Sequence, residues 1–488
     1  MHFEQSPQDV LARLDELREA DAPTSGGRLL SYVYDSGIAE LDDLAGAAAR
    51  KAQPLNGLDP TTFPSVAALE RDLVALARSV LADGVDGVVG SVTSGGTESC
   101  MLAVKSARDS WRAATGREDR PTLVIGSTAH AAFIKAAHYL DLRLRVLPVD
   151  PDTCRLRPDD VAAALDNSVA LVVASTPSYP HGALDPIAEI AEVCAAQGVP
   201  VHVDGCIGAW VLPWWPGADT RPLWDLRVAG VASLSVDLHK YGYAPKGVSV
   251  LLYRDRDRHR RQWFATSAWP GYAVVNPTML GSRTVMPIAA GWAVSKALGK
   301  NGFDELTGRI VRSAAHLRAV IDGIDGLRIV GDPVGPLLAV ATDTAVPEDR
   351  RVDPHRWADA ARELGWVLQP QPGRTQSDGT VLPRTTHLTL TPVTEAVADD
   401  LATAVTKAAD AVRGIPGAVA PEDFVAAADH IRPEDLTSEN CAAVLTLAGL
   451  DPTAGLGGSM ADLLALIEAL PEPVAERLLI EFLARFME

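Results

Sequence analysis

The chain has 488 residues, 47% of them hydrophobic and 22% charged, enough material for a large packed core and a composition that excludes disorder over most of its length. Its formal charge of −19 comes with no basic run, so a phosphate backbone is repelled and nucleic acid is not an expected partner. The five cysteines (Cys100, Cys154, Cys194, Cys206 and Cys441) show neither C-x-x-C pairing nor zinc spacing, which argues against a disulfide framework or structural metal and for a reducing, cytoplasmic setting.

No apolar stretch approaches the ~20 residues that span a bilayer. The opening MHFEQSPQDVLARLDELREA lacks a basic region followed by an apolar core, so it reads as a charged amphipathic helix rather than a secretory signal. Leu69–Leu81 has helical periodicity closed by Gly84 and Gly87, and a second helix runs from Gly96 to about Arg112. Short β-branched runs follow at 122–125, 145–149, 170–175, 200–204, 232–236 and 247–253, with helical patterns at 129–140, 158–166 and 185–196 between the first four. Apolar strands alternating with helices predict a doubly wound, mostly parallel α/β sheet, with ligands in the crevice beyond the strands' carboxyl ends. A helical bridge over 286–325 leads to a smaller α+β unit with strands at 327–331, 337–342, 365–370 and 386–392 and helices at 355–364 and 394–413. After Gly414 a helical extension follows, its last two runs split by Pro471 and Pro473.

Four constellations sit at predicted strand ends. Ser-Val-Asp-Leu-His-Lys-Tyr-Gly (235–242) places Lys240 after an apolar strand; most lysines are solvated surface residues, but one in a dry pocket can attack a carbonyl. Val-Thr-Ser-Gly-Gly-Thr-Glu-Ser (92–99) opens a helix with glycines and Thr97, which suits a phosphate as well as it suits an ordinary strand-to-helix turn. Val-His-Val-Asp-Gly-Cys (201–206) ends a buried strand on Asp204, either a turn residue or a partner for a buried cation. His130, in Ser-Thr-Ala-His-Ala-Ala-Phe (127–133), either caps its helix or stacks on a flat cofactor. Together they supply a phosphate cradle, a ring stacker, an acid for a ring nitrogen and a nucleophilic lysine, the inventory of a pyridoxal 5′-phosphate site.

In order, T-S-G-G-T-E-S, S-T-A-H-A-A-F-x-K-A-A, S-T-P-x-Y-P-H-G-x-x-D-P, V-P-V-H-V-D-G-C, S-x-D-x-H-K-Y-G-Y-A-P-K-G and P-T-M-x-G-S-R resemble the group II pyridoxal-phosphate-dependent decarboxylase family, closest to its sphingosine-1-phosphate lyase branch, over residues 26–412. The resemblance implies a fold type I (aspartate aminotransferase-like) enzyme: a large seven-stranded, mostly parallel domain over 56–300, a small α+β domain over 301–414, and an extension over 415–488. Residues 1–55 would contact the partner in a homodimer with a shared active site. It implies that Lys240 carries the cofactor as a Schiff base, Asp204 pairs with the pyridine nitrogen, and His130 and Cys206 lie on opposite faces of the ring. Gly96, Thr97 and His239 would hold the phosphate together with Ser282 of the neighbouring subunit, and Thr176 would sit near the ring hydroxyl.

For the substrate, the lyase branch binds a phosphate through tyrosine, histidine and lysine. Tyr34 and Lys246 are counterparts, but N-x-L-H becomes Asn56-Gly57-Leu58-Asp59, and a carboxylate there would repel a phosphate. The branch's membrane anchor has no counterpart either, so a lipid would have to be delivered to a soluble protein. The leading expectation is cleavage of the Cα–Cβ bond of a β-hydroxy amine, with or without a phosphate. The alternatives are α-decarboxylation of an amino acid and a cofactor-binding scaffold without turnover. A nicotinamide oxidoreductase is disfavoured because no glycine fingerprint follows the first strand.

Overall fold

The computed structural model describes residues 4–428, 430–447 and 459–488; residues 1–3, at the head of the expected first helix, and 448–458, within the expected extension, lie outside this description. Helix α1 (Pro7–Arg18) starts under Ser6, whose side chain accepts the Asp9 amide, with a proline in its first turn where a missing N–H costs nothing. None of its residues is buried, and Val10, Leu11, Leu14 and Leu17 form an exposed apolar stripe. The chain then runs beside the small domain: Leu30 donates its amide to the Val367 carbonyl and accepts the amide of Thr389. Helices α2 (Ala39–Ala52) and α3 (Pro64–Leu81) lead to strand β1 (Val89–Thr93).

Strand β1 belongs to a seven-stranded sheet with β2 (Thr122–Gly126), β3 (Arg143–Leu147), β4 (Val169–Ser175), β5 (Val201–Asp204), β6 (Val231–Asp237) and β7 (Ser249–Tyr253), in the order β1-β7-β6-β5-β4-β2-β3. Strand β7 is antiparallel to both β1 and β6, and β6, β5, β4, β2 and β3 are parallel to one another. Strands β4, β6 and β7 are buried at every position, which is why their sequences are continuous apolar runs rather than alternating ones. Helices α4 (Gly96–Thr115), α5 (Ala132–Tyr139), α6 (Pro158–Ala164) and α7 (Ile187–Ala195) connect the strands. Strand β1 is not among the expected strands: in Val-Gly-Ser-Val-Thr only the last three residues are buried, so it carries no continuous apolar run.

Helix α8 (Arg256–Gln262) precedes a hairpin, β8 (Phe264–Thr266) and β9 (Val274–Asn276), rich in exposed apolar side chains such as Phe264, Trp269 and Tyr272. Helix α9 (Met286–Asp322) crosses to the small domain and kinks at Gly299, whose φ of 53° is left-handed backbone that glycine adopts without strain. The small domain holds β10 (Leu327–Ile329), β11 (Leu337–Thr342), α10 (Pro354–Glu363), β12 (Gln369–Gln371), a short hairpin of β13 (Arg374–Thr375) and β14 (Val381–Leu382), β15 (Thr385–Thr389), and α11 (Ala398–Val412). Its antiparallel sheet runs β10-β11-β15-β12.

The extension contains α12 (Glu422–Ala428), α13 (Ser438–Leu447), α14 (Met460–Glu468) and α15 (Glu472–Met487). It is tied down at both ends of α14. Asp359 accepts the amides of Met460 and Ala461 and the Ser459 hydroxyl, an acid well placed at a helix start. Glu468 pairs with Arg384 and accepts the Gly373 amide at 2.9 Å.

Candidate active site

A cavity of about 350 Å³ opens where β1, β4, β5 and β6 end, lined in part by Gly96, His130, Asp204, His239 and Lys240. Lys240 follows β6, and its Nζ lies 2.9 Å from Asp237 Oδ2, the last residue of that strand. Asp237 is fully buried, and Ser249 on β7 donates a hydroxyl to its other oxygen. Burial pushes the Asp237 carboxyl up, but the positive charges of Lys240 and His239 outweigh it and the net shift is downward. Burial likewise works against the Lys240 ammonium, yet Asp237 prevails and the net shift is well upward. The lysine therefore stands as a half-buried ammonium on a buried carboxylate.

One strand over, Asp204 ends β5, where its Oδ1 accepts the Ser235 hydroxyl at 3.1 Å and the Cys206 amide at 3.2 Å. Cys206 Sγ contacts Ser235 Oγ at 3.3 Å. Its thiol is pushed well above the usual range, first by a hydrogen bond with Cys100 and then by burial. Thr176, after β4, has a buried hydroxyl oxygen with no partner. His130 is held by the Ala132 amide, which donates to Nδ1 at 3.1 Å and fixes the ring's orientation at the cavity edge.

The Gly95-Gly96 turn brings backbone against side chains. A methyl group on Gly96 would stand 2.6 Å from Asp237 Oδ2 and 3.0 Å from Cys206 Sγ, and one on Gly95 would stand 3.2 Å from His239 Cε1. Glu98 secures this turn by accepting the Ser94 amide at 2.6 Å and the Met279 amide at 2.7 Å. At the rim, Lys246 Nζ donates to the His239 carbonyl and lies 4.4 Å above the Tyr34 ring. Desolvation and the nearby Lys240 charge bring the Lys246 ammonium down to about 8, while burial pushes the Tyr34 phenol up to about 12.

The conserved domain described as "Pyridoxal-dependent decarboxylase conserved domain" matches residues 42–340. The chain belongs to this family. A second description, "Pyridoxal-dependent enzyme, C-terminal putative HTH domain", matches residues 422–485. Among curated relatives, the sphingosine-1-phosphate lyase of Dictyostelium discoideum is 36% identical over 335 residues, 68% of this chain and 62% of that protein. The Drosophila melanogaster lyase is 35% identical over 366 residues, 74% and 65% of the two chains. The chain thus spans under two thirds of the length of these curated relatives. Among solved structures, the sphingosine-1-phosphate lyase of Burkholderia pseudomallei is 31% identical with a TM-score of 0.76, covering 84% of this chain and 92% of that one. A Lactobacillus brevis glutamate decarboxylase, 20% identical with a TM-score of 0.74 over 86% and 95% of the two chains, shares the fold.

This pyridoxal-dependent decarboxylase family member has fold type I, and its cofactor is pyridoxal 5′-phosphate. The site fits that group: the glycine turn at the start of α4 leaves room and backbone N–H groups for a phosphate, a buried hydroxyl without a hydrogen-bond partner among the described residues stands just after β4 on Thr176, and Lys240 is the one lysine among the described residues lining the cavity.

The structure brings Lys240, Asp204, His130, Gly96, Thr97, Cys206 and His239 to one cavity, with Thr176 following β4 beside it and Tyr34 with Lys246 at its rim. It does not bring Asn56, Asp59 and Ser282 there. Asn56 donates to Ser282 Oγ at 3.1 Å and pairs with Thr284 across a β-bridge, forming a separate exposed cluster on the same chain. Asp59 binds locally, accepting from the Thr61 amide and from both the Thr61 and Thr62 hydroxyls, and these bonds hold its carboxyl down to about 2. Its charge is therefore spent on its own turn. Asp237, Glu98, Tyr179 and Gln369 join the site without a role expected from the motifs. Asp237 had a signal, an acid one turn before the lysine, but the other three are recognised only when distant segments meet.

Proposed function

We propose that the chain is a pyridoxal-phosphate-dependent carbon–carbon lyase. It cleaves the Cα–Cβ bond of a phosphorylated β-hydroxy amine, giving an aldehyde and a smaller phosphorylated amine, as expected of a relative of the sphingosine-1-phosphate lyases. One observation carries the choice over amino-acid decarboxylation. Lys246 stands at the rim as an exposed cation 4.4 Å above the Tyr34 ring, and this pair matches the tyrosine and lysine that take a substrate phosphate on the lyase pattern.

When bound, the cofactor supplies an aldehyde that takes up amines and a ring that accepts the electron pair of a bond broken at the amine-bearing carbon. Lys240 would hold it covalently, Asp204 would keep its ring nitrogen protonated, and His130 and Cys206 would flank it. Gly96, Thr97 and His239 would take its phosphate and Thr176 its hydroxyl. Asp237 holds the Lys240 ammonium at Oδ2 and so orients its nitrogen within the cavity. Lys246 and Tyr34 would orient the substrate phosphate, which fixes the bond presented for cleavage.

The assembly belongs to the same proposal. In a homodimer, Ser282 and Asn56 of one subunit would complete the cavity of the other, and the exposed apolar side chains of α1 and of the β8–β9 hairpin would find cover. The five cysteines are all unpaired, which supports a reducing compartment. Among the described residues no helix is long and apolar enough to cross a membrane. The test is to incubate the holoenzyme with dihydrosphingosine-1-phosphate and with a panel of amino acids, and to assay aldehyde and carbon dioxide separately. Aldehyde without carbon dioxide supports the lyase; carbon dioxide without aldehyde replaces it with the decarboxylase.

A further inference from the structure

Three distant segments meet at one amide. Tyr179, in the turn after β4, lines the cofactor cavity, and its hydroxyl donates to Gln369 Oε1 at 2.5 Å. Gln369 opens β12 in the small domain, and its Nε2 donates to the Tyr32 hydroxyl at 2.9 Å. Tyr32 comes from the N-terminal segment and has a left-handed φ of 62°, a conformation that a bulky residue keeps only where its surroundings impose it. Strand β12 grips the same turn a second time, with Gln371 Nε2 donating to the Pro180 carbonyl at 3.3 Å. From the neighbouring strand β15, the His387 ring stacks on Tyr179 at 4.4 Å. Burial pushes His387 down to about 3, so this stacking ring is neutral at physiological pH. Gly182 closes the turn against β11, where an added methyl would stand 2.7 Å from the Leu337 carbonyl oxygen.

A phenol has one proton to donate. With that proton committed to Gln369, the Tyr179 oxygen meets further partners only as an acceptor; the Thr389 hydroxyl on β15 is one such donor, and the remaining lone pair is left for the cavity. A substrate group that satisfies it must be a donor, and on an amine held by Lys240's cofactor the adjacent donor is a hydroxyl on the neighbouring carbon. We propose that Gln369 is a positioning residue that fixes the Tyr179 hydroxyl as a hydrogen-bond acceptor in the cavity, and so makes the site selective for amines bearing a hydroxyl on the carbon next to the amine-bearing one. This rests on the lyase reading for its purpose, since that hydroxyl must lose its proton as the carbonyl forms. The selectivity itself is a matter of binding.

The test uses a probe pair that differs only in this hydroxyl, 3-amino-2-butanol and sec-butylamine. Their dissociation constants for the holoenzyme are read from the visible absorption of the bound cofactor. The wild type should favour the amino alcohol by about tenfold, the worth of one well-placed hydrogen bond in a dry site. Gln369→Leu should reduce that ratio to about twofold or less while leaving sec-butylamine binding unchanged, and Gln369→Glu, which keeps the acceptor, should retain it. In turnover of dihydrosphingosine-1-phosphate, Gln369→Leu should lower kcat by about tenfold with little change in KM. If leucine prevents folding, Gln369→Asn, which withdraws the amide, replaces it. A preserved hydroxyl preference in the variant, equal weakening of both amines, or no preference in the wild type would each overturn the proposal. A wild type that releases no aldehyde would remove the lyase reading, and the affinity ratio would still decide the role of Gln369.

Discussion

Replacing Gly96 with alanine inserts a methyl group at the tightest point of the cofactor cradle. The new carbon would stand 2.6 Å and 2.9 Å from the two Asp237 oxygens and 3.0 Å from Cys206 Sγ, all inside van der Waals contact. None of these neighbours is free to retreat: Asp237 is buried between Lys240 and the Ser249 hydroxyl, and Cys206 is buried against Ser235. Overpacking a site that cannot relax costs about 1–3 kcal/mol. The gain in helix propensity from glycine to alanine is at most about 1 kcal/mol and is smaller in the first turn. The protein should therefore lose about 1–2 kcal/mol of stability. If the strain is relieved by moving Asp237, Lys240 moves with it, and pyridoxal phosphate affinity should fall by about tenfold or more, equivalent to about 1.4 kcal/mol. The assay is thermal unfolding of the apoprotein together with equilibrium titration of the cofactor by visible absorption. Gly116→Ala serves as the control, because that residue is left-handed at φ 68° but has nothing within 4 Å of the added methyl. It should cost stability without touching cofactor affinity. A Gly96→Ala protein that binds cofactor within about twofold of wild type would refute the reasoning.

Three further outcomes follow from the geometry. Lys246, brought down to about 8, is charged below that pH and neutral above it, so KM for a phosphorylated substrate should rise as pH passes 8, and Lys246→Met should abolish that limb of the profile. Arg283 pairs with half-buried Glu70 and donates to the Gly57 and Val92 carbonyls, so Arg283→Ala should destabilise the fold by about 3 kcal/mol. Burial already raises the Glu70 carboxyl and Arg283 opposes it; without Arg283 the folded-state value climbs further, so the deficit should shrink as pH falls from 7 to 5 and Glu70 takes up a proton. Finally, residues 415–488 carry 13 acidic side chains against three basic ones, so fluorescence anisotropy with a labelled DNA duplex at low salt should show no binding despite the helix-turn-helix description of that region.

The large domain is legible because burial on both faces writes itself as continuous apolar runs in β2, β4, β5, β6 and β7, whereas β3, exposed at Arg143 and half-buried beyond it, starts two residues before the run expected at 145–149. Lys240, Asp204 and His130 come together for a related reason: Asp204 ends β5, and Lys240 and His130 stand a few residues beyond β6 and β2, where ligand sites in these sheets gather. The helices of the extension were only partly legible, since Pro471 and Pro473 mark the break before α15 while α12 and α13 are short and lack a strong apolar stripe. Asn56 and Ser282 meet each other apart from this subunit's cavity, and Ser282 is expected to serve the neighbouring subunit's site, while Asp59 is bonded within its own turn and shows the limit of reading by analogy. Asp237 shows the opposite limit: its spacing before Lys240 was visible, but its pairing depends on the turn after β6 and on Ser249 from the next strand.

Which bond breaks is governed by residues that periodicity does not mark. The groups around Lys240 serve any amine, because their task is to hold the cofactor and one proton. On the proposed reading, selection comes from Tyr34 and Lys246 and from Tyr179, whose hydroxyl is set by Gln369 from a three-residue strand of the small domain and, beyond it, by Tyr32 of the N-terminal segment. Gln369 lies about 130 positions beyond Lys240 and about 340 beyond Tyr32, so no local pattern could tie them together. It is the packing of strand β12 against the turn at Tyr179 that brings them within hydrogen-bond reach. A substitution that loosens the small domain without touching the cavity, such as one at Gly182, should accordingly disturb the choice of substrate before it disturbs the cofactor.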